Sequence, residues 1–193
     1  MHAMTSDLFI LTGASRGMGL AMAEQLLSPQ HVLWCISRHT NSALAAQADQ
    51  SGASLEQRTF DLQHPLLAAS ALAQWLEEAS PRRFTSATLI NNAGTIPAIA
   101  PLSGSDPTEL SQALRVGLEA PMLLTSAFLK ATRAWGVPRR VLNISSGLGR
   151  RPMASQAAYC AAKAGMDHFT RCLALDEALQ TNVAKVCLFL IYF

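Results

Sequence analysis

Apolar residues come in short continuous runs along this chain, and stretches with helical spacing separate them. The runs at 8–11, 31–37, 87–90 and 141–144 are too short for helices and carry no polar alternation. Each predicts a strand buried on both faces. Residues 54–60 alternate instead, with Leu55, Gln57 and Thr59 set against Glu56, Arg58 and Phe60, which suits a half-exposed strand at a sheet edge. A last apolar run, 183–193, reads as a sixth strand. Helical patterns fill the gaps: 20–27 up to Pro29, 41–50 behind a cap at Thr40 or Asn41, and 65–79 with Pro65 near its start. A long pattern over 106–135 predicts a helix bent around Gly117 and Pro121, and 157–180 predicts another. Residues 96–107, rich in Pro, Gly and Ser, read as a loop. Strand and helix thus alternate from end to end, which predicts an α/β fold with a parallel sheet. No repeat, charge block or low-complexity tract divides residues 1–193, so one domain is expected.

Composition narrows the class. Half of the 193 residues are apolar and 15% are charged, the balance of a globular chain. A net charge of +2 gives no nucleic-acid surface. The four cysteines show no ligand spacing, and Cys35 and Cys187 lie in apolar runs, as buried reduced thiols do. The five histidines are scattered, so no metal site is expected. No run approaches a membrane span and the first residues lack a basic leader, so no membrane contact and a cytoplasmic location are expected.

The chemistry sits at strand ends. After the first strand the chain reads Thr12-Gly13-Ala14-Ser15-Arg16-Gly17-Met18-Gly19 and enters a helix. Gly13 permits a tight turn, Gly17 lets backbone approach a phosphate, and Gly19 lets helix pack on strand; the helix N-terminus then faces the anion. The second strand ends in Arg38 with no acidic residue to select a ribose 2′-hydroxyl. Arg38 and Arg16 suit a 2′-phosphate instead, which predicts NADPH over NAD. Asp61 and Leu62 follow the third strand, where a side chain can meet an adenine. Asn91-Asn92-Ala93-Gly94 follows the fourth, and Gly94 lets backbone run beside a ligand. The fifth strand delivers Ser145 and Ser146. On the next helix Tyr159 and Lys163 lie one turn apart on one face, which sets a phenol beside a fixed cation as a candidate acid/base. Such a pair is commonplace on helices, and only the ordered set gives it meaning.

That ordered set resembles the short-chain dehydrogenase/reductase family over nearly the whole chain, up to about residue 179. The wording from Ser145 to Lys163 is similar to that of sepiapterin reductases and bacterial benzil reductases. The resemblance implies a Rossmann-like, doubly wound parallel sheet, and a reductase that turns a small ketone or diketone into an alcohol. Ser146 would be the catalytic serine, with Ser145 as backup. Tyr159 would protonate the carbonyl oxygen as NADPH gives hydride, and Lys163 would hold the nicotinamide ribose. Thr12, Gly13, Ser15, Arg16, Gly17, Met18, Gly19, Arg38, Asp61, Leu62, Asn91, Asn92, Ala93 and Gly94 would bind the cofactor together with Tyr159 and Lys163. A homo-oligomer, dimer or tetramer, is also implied. Two departures stand against this pattern. The family places an Asn within the long helix, where this chain reads Arg115-Val116-Gly117-Leu118. Family members also continue into a Pro-Gly segment, a substrate lid and a seventh strand, none of which follows residue 183. The expected sheet is therefore incomplete at its C-terminal end, with about six strands, and the other expectation is a catalytically impaired, truncated fragment that binds a dinucleotide or a partner.

Overall fold

The short apolar runs form the centre of one sheet in the computed structural model, which describes residues 6–178 and the backbone of residues 186–192. The strands are β1 (Ser6–Thr12), β2 (His31–Ser37), β3 (Ser54–Thr59), β4 (Phe84–Asn91), β5 (Arg139–Ser145) and β6 (Val186–Tyr192). Their order is β3-β2-β1-β4-β5-β6, and every pairing is parallel. The order reverses between β1 and β4. In an open parallel sheet, that reversal leaves a crevice at the strands' C-terminal ends.

Among the described residues six α-helices cover both faces: α1 (Gly17–Leu26), α2 (Ser42–Ser51), α3 (Pro65–Glu78), α4 (Pro107–Leu114), α5 (Ala120–Ala131) and α6 (Ala157–Ala178). Successive β1 side chains point to opposite faces, so one strand feeds two cores. Leu8 and Ile10 join Trp34, Leu72, Leu124 and Phe128 under α3 and α5. Leu11 joins Leu33, Ala23 and Leu44 under α1 and α2. The alternating stretch became β3, at the sheet edge and partly exposed, as its pattern predicts. Asn41 is the cap of α2, its Oδ1 accepting from Leu44 N at 2.9 Å.

The structure corrects the sequence reading in two places. Strands β4 and β5 begin earlier than their apolar runs, at Phe84 and Arg139. Arg139 is 2% exposed although its charge marks it as outside the strand. Its guanidinium donates to Leu129 O at 3.3 Å and faces Glu177 at 3.9 Å, partners far away in sequence. The long helical pattern resolves into α4, a π-helical turn over Arg115–Glu119, and α5. The irregularity is thus a wide turn at Gly117. Pro121 falls in the first turn of α5, where a missing N–H costs least. The expected helix end at Gln180, residues 183–185, Phe193 and the Cys187 thiol lie outside the described residues.

A buried polar thread joins β4, β5, α5 and α6. Asn91 Nδ2 donates to Asn143 Oδ1 at 2.8 Å and to Thr125 Oγ1 at 3.1 Å. Asn143 Nδ2 donates to Thr170 Oγ1 at 2.8 Å, and that hydroxyl donates to Met166 O at 2.7 Å. Replacing Asn143 by Ala strands donors and acceptors away from water, at about 2–3 kcal/mol. For a domain of this size Asn143→Ala should lower the melting temperature by roughly 5–10 °C, read by circular dichroism. An unchanged melting temperature would show that the thread is not a stability element.

Candidate active site

The first turn of α1 is fitted to the end of β1 by glycines. Gly13 takes φ +75° and Gly17 takes φ +57°, both left-handed. A Cβ on Gly19 would lie 2.1 Å from Gly13 O and 2.5 Å from Asn92 Nδ2, so no other residue fits there. A Cβ on Gly17 would meet nothing within 4 Å, so this backbone faces open space. No side chain caps α1 at Arg16, which leaves its first N–H groups and the positive end of its dipole directed outward. Thr12 Oγ1 accepts from the backbone N–H of Asn92 and Ala93 at 3.0 and 2.9 Å, and Asn92 Nδ2 donates to Thr12 O at 2.9 Å. The ends of β1 and β4 are thereby locked together.

A cleft of about 650 Å³ opens over this junction. Of the expected cofactor residues, Gly13, Ser15, Arg16, Gly17, Met18, Gly19, Arg38, Asp61, Leu62, Asn92, Ala93 and Gly94 line it. Thr12, Asn91, Tyr159 and Lys163 are not among its lining residues. Thr12 and Asn91 are both 2% exposed and face the interior, Thr12 holding the β4 end and Asn91 in the polar thread, while Tyr159 and Lys163 stand on α6. Arg16 and Arg38, both exposed, stand at the same cleft. Asn41 fixes the geometry between them, donating through Nδ2 to Ser15 O at 3.1 Å and exchanging backbone hydrogen bonds with the Gln57 amide. Asp61 Oδ1 accepts from Gln63 N at 2.9 Å. The walls also include Ile36, Ser37, Phe60, Gln63, Thr95 and Ile96, next in sequence to expected residues, and Gln112 and Val116 from the α4 region. The last two carry no local signal, because only the chain's fold brings them over the cleft.

The second half of the site is the corner between β5 and α6. Ser146 leaves β5 and caps a 3-10 turn, Gly147–Gly149, its Oγ accepting from Leu148 N at 3.2 Å. Its own O–H is left to donate. Ser145, the alternative serine, is 3% exposed and donates to Asp167 Oδ1 instead, so it is turned into the protein. Lys163 is 4% exposed, and its Nζ donates to Ile144 O at 2.7 Å and lies 5.7 Å from the centre of the half-buried Tyr159 ring. Burial pulls the Lys163 ammonium down to about 8, against the Asp167 carboxylate, which pushes it back up. The two halves meet at Gly94: a Cβ there would lie 4.0 Å from Lys163 Nζ, and Gly94 lines the cleft.

The family model for short chain dehydrogenase matches residues 7–191. The chain belongs to the short-chain dehydrogenase family. It is 36% identical over 180 residues to a benzil reductase ((S)-benzoin forming) of Bacillus cereus, across 93% of this chain and 72% of the relative. It is 33% identical to a sepiapterin reductase of Xenopus tropicalis, across 91% of this chain and 70% of that protein. A short-chain dehydrogenase/reductase from Burkholderia vietnamiensis superposes with a TM-score of 0.81 at 31% identity, over 98% of this chain and 84% of that one. A metagenomic short-chain oxidoreductase in complex with NADP also gives 0.81, at 28% identity over 98% and 83% of the two chains. Members of this family are oxidoreductases that bind a nicotinamide dinucleotide and act on small molecules. The glycine turn fits such a group: the uncapped helix start and the open backbone at Gly17 are what a pyrophosphate requires. Among the described residues, no helix is long and apolar enough to cross a membrane, and no cluster of metal-ligating side chains occurs.

Gly19→Ala should push α1 off β1, costing more than about 2 kcal/mol and abolishing dinucleotide binding. Thermal melting and NADPH fluorescence titration test this. Wild-type values for both would show that the close approach is dispensable.

Proposed function

We propose that this chain is an NADPH-dependent reductase of ketones or diketones, with Tyr159 as the proton donor. One observation carries the reading: the Lys163 ammonium, beside Tyr159, reaches the wall of the dinucleotide cleft at Gly94. A proton source next to a dinucleotide is what carbonyl reduction needs. NADPH, when bound, supplies the hydride. The side chains do the rest. The glycine turn and the start of α1 hold the pyrophosphate. Arg16 and Arg38 hold the 2′-phosphate, and Asp61 and Leu62 meet the adenine. Ser146 donates to the substrate's carbonyl oxygen with the hydrogen its capping bond leaves unused. Tyr159 gives its proton to that oxygen as negative charge develops there, so C=O becomes CH–OH. Lys163 holds the ribose and keeps a positive charge beside the phenol. Residues 1–193 act as one dinucleotide-binding domain in the cytoplasm. Two copies pair through the apolar groove of about 340 Å³ on α4 and α5, which Leu114, Leu118, Met122 and Leu123 line.

The names of the relatives make a 1,2-diketone the first substrate to try. Purified protein with benzil and NADPH should show loss of NADPH absorbance and formation of benzoin. NADPH should be preferred to NADH, and Arg38→Ala should erase that preference. Tyr159→Phe should lower kcat by roughly 100-fold or more while NADPH still binds. A Tyr159→Phe variant with full activity would overturn the assignment. The second reading, binding without turnover, rests on Gly117, which brings no side-chain amide to the π turn. Saturable NADPH binding with no reduction across a carbonyl panel would favour it.

Activity should also report the Lys163 charge. That charge is present below about 8 and lost above it. kcat should therefore fall as pH rises through that value, and the fall should be absent in Lys163→Arg, whose cation does not titrate in this range. A wild-type rate that stays flat well above this pH would count against the role given to Lys163.

A further inference from the structure

The most buried acid of α6 lies directly behind the Tyr159–Lys163 pair. Tyr159, Lys163 and Asp167 follow at intervals of four residues, along one ridge of the helix. Asp167 is 4% exposed, a place where a carboxylate persists only when it is held. Ser145 holds it: the Ser145 hydroxyl, at the last residue of β5, donates to Asp167 Oδ1. The turn after Ser146 touches it from the other side. A Cβ on Gly149 would lie 3.2 Å from Asp167 Oδ2 and 3.0 Å from the Lys163 carbonyl carbon, so any side chain there would press this turn away from α6 by a few tenths of an ångström. Just before Ser145, Ile144 O accepts from Lys163 Nζ at 2.7 Å. Ser146 thus lies between two fixed points, Ser145 and Gly149, and both rest on Asp167.

We propose that Asp167 is a positioning residue of this active site: its buried carboxylate anchors the Ser145–Gly149 corner to α6, and so sets where Ser146 stands relative to Tyr159 and Lys163. The inference rests on the carbonyl-reductase reading for its kinetic consequences. Its electrostatic consequence stands without that reading. Among the described residues, those around the Lys163 ammonium are Tyr159 and Asp167 from α6, Ile144 from β5 and Gly94 from the loop after β4. Of these, Asp167 alone brings negative charge, and it opposes the loss of the Lys163 proton.

The test uses the full chain and three variants: Asp167→Asn, Ser145→Ala and Ser145→Thr. With NADPH and benzil, Asp167→Asn should lose about tenfold or more in kcat while the KM for NADPH stays within about twofold, because the glycine turn and the two arginines that hold most of the cofactor are untouched. Ser145→Ala should lose several-fold, and Ser145→Thr, which restores the hydroxyl, should recover most of that loss. Lysine side-chain NMR supplies a readout independent of turnover, since the chain holds only Lys130, Lys163 and Lys185. Asp167→Asn should move the Lys163 titration down by roughly one pH unit. If Asp167→Asn does not fold, the Ser145 pair decides alone: equal kcat in Ser145→Ala and wild type overturns the proposal. So does a folded Asp167→Asn whose kcat or Lys163 titration is unmoved, or whose kcat and KM fall off together. A wild type that reduces no carbonyl refutes the reductase reading, and the Lys163 titration then decides for Asp167.

Discussion

The molecule depends on one missing side chain. Gly19 sits where a Cβ would collide with the Gly13 carbonyl at 2.1 Å, and α1 can land on β1 only because nothing is there. This contact fixes where the helix starts, and hence where its uncapped N–H groups point. Asn92 lies at the same spot from the β4 side and donates to Thr12 O. Three elements therefore meet at one point, where the strand order reverses. The crevice there follows from sheet topology. That it suits a phosphate follows from the two left-handed glycines and the bare helix end.

The second half of the site is built on the opposite principle, the burial of a charge. Lys163 is 4% exposed, which disfavours its ammonium and pulls it down to about 8. Two features keep the cation in place. Ile144 O accepts a hydrogen bond from it, and the Asp167 carboxylate stands one turn further along α6. Burial thus makes the charge sensitive to pH near neutrality and fixes its direction. An exposed lysine would do neither, being hydrated and free to choose among rotamers. Gly94, whose backbone lines the cleft, brings a Cβ position within 4.0 Å of Lys163 Nζ, so the cation beside Tyr159 and the cleft over the bare start of α1 are neighbours.

The sheet was legible because short apolar runs and helical spacing are local signals. The glycine turn was legible because tight backbone allows few residue types. Tertiary partners were not legible. Arg139 reads as a surface charge before a strand, yet it lies in β5, where its guanidinium donates to Leu129 O and faces Glu177. Asn91 reads as a ligand contact because it adjoins Asn92, but alternation along a strand turns neighbours to opposite faces, and its amide serves the interior. Ser145 and Ser146 are identical in sequence terms. The pleat separates them, sending one to Asp167 and leaving the other at the corner. Gln112 and Val116 reach the cleft only through the path of α4.

Gly117 joins these observations. It departs from the asparagine that the family resemblance calls for, yet the wide π turn forms around it, with Ala120 N–H bonding back to Arg115 O. The irregularity therefore does not need the asparagine side chain. Packing explains it instead. A Cβ on Gly117 would lie 3.0 Å from Ala162 Cβ, and one on Gly165 would lie 2.8 Å from Leu118 Cδ2. Ala162 and Gly165 are three residues apart on α6 and face the π turn from either side of Lys163 in sequence. Small residues on both partners let α6 settle against this turn. The same approach helps set the depth at which Lys163 and Asp167 are buried. Glycine at 117 is thus part of the packing that places the lysine, and the amide it lacks is a separate matter from the geometry it provides.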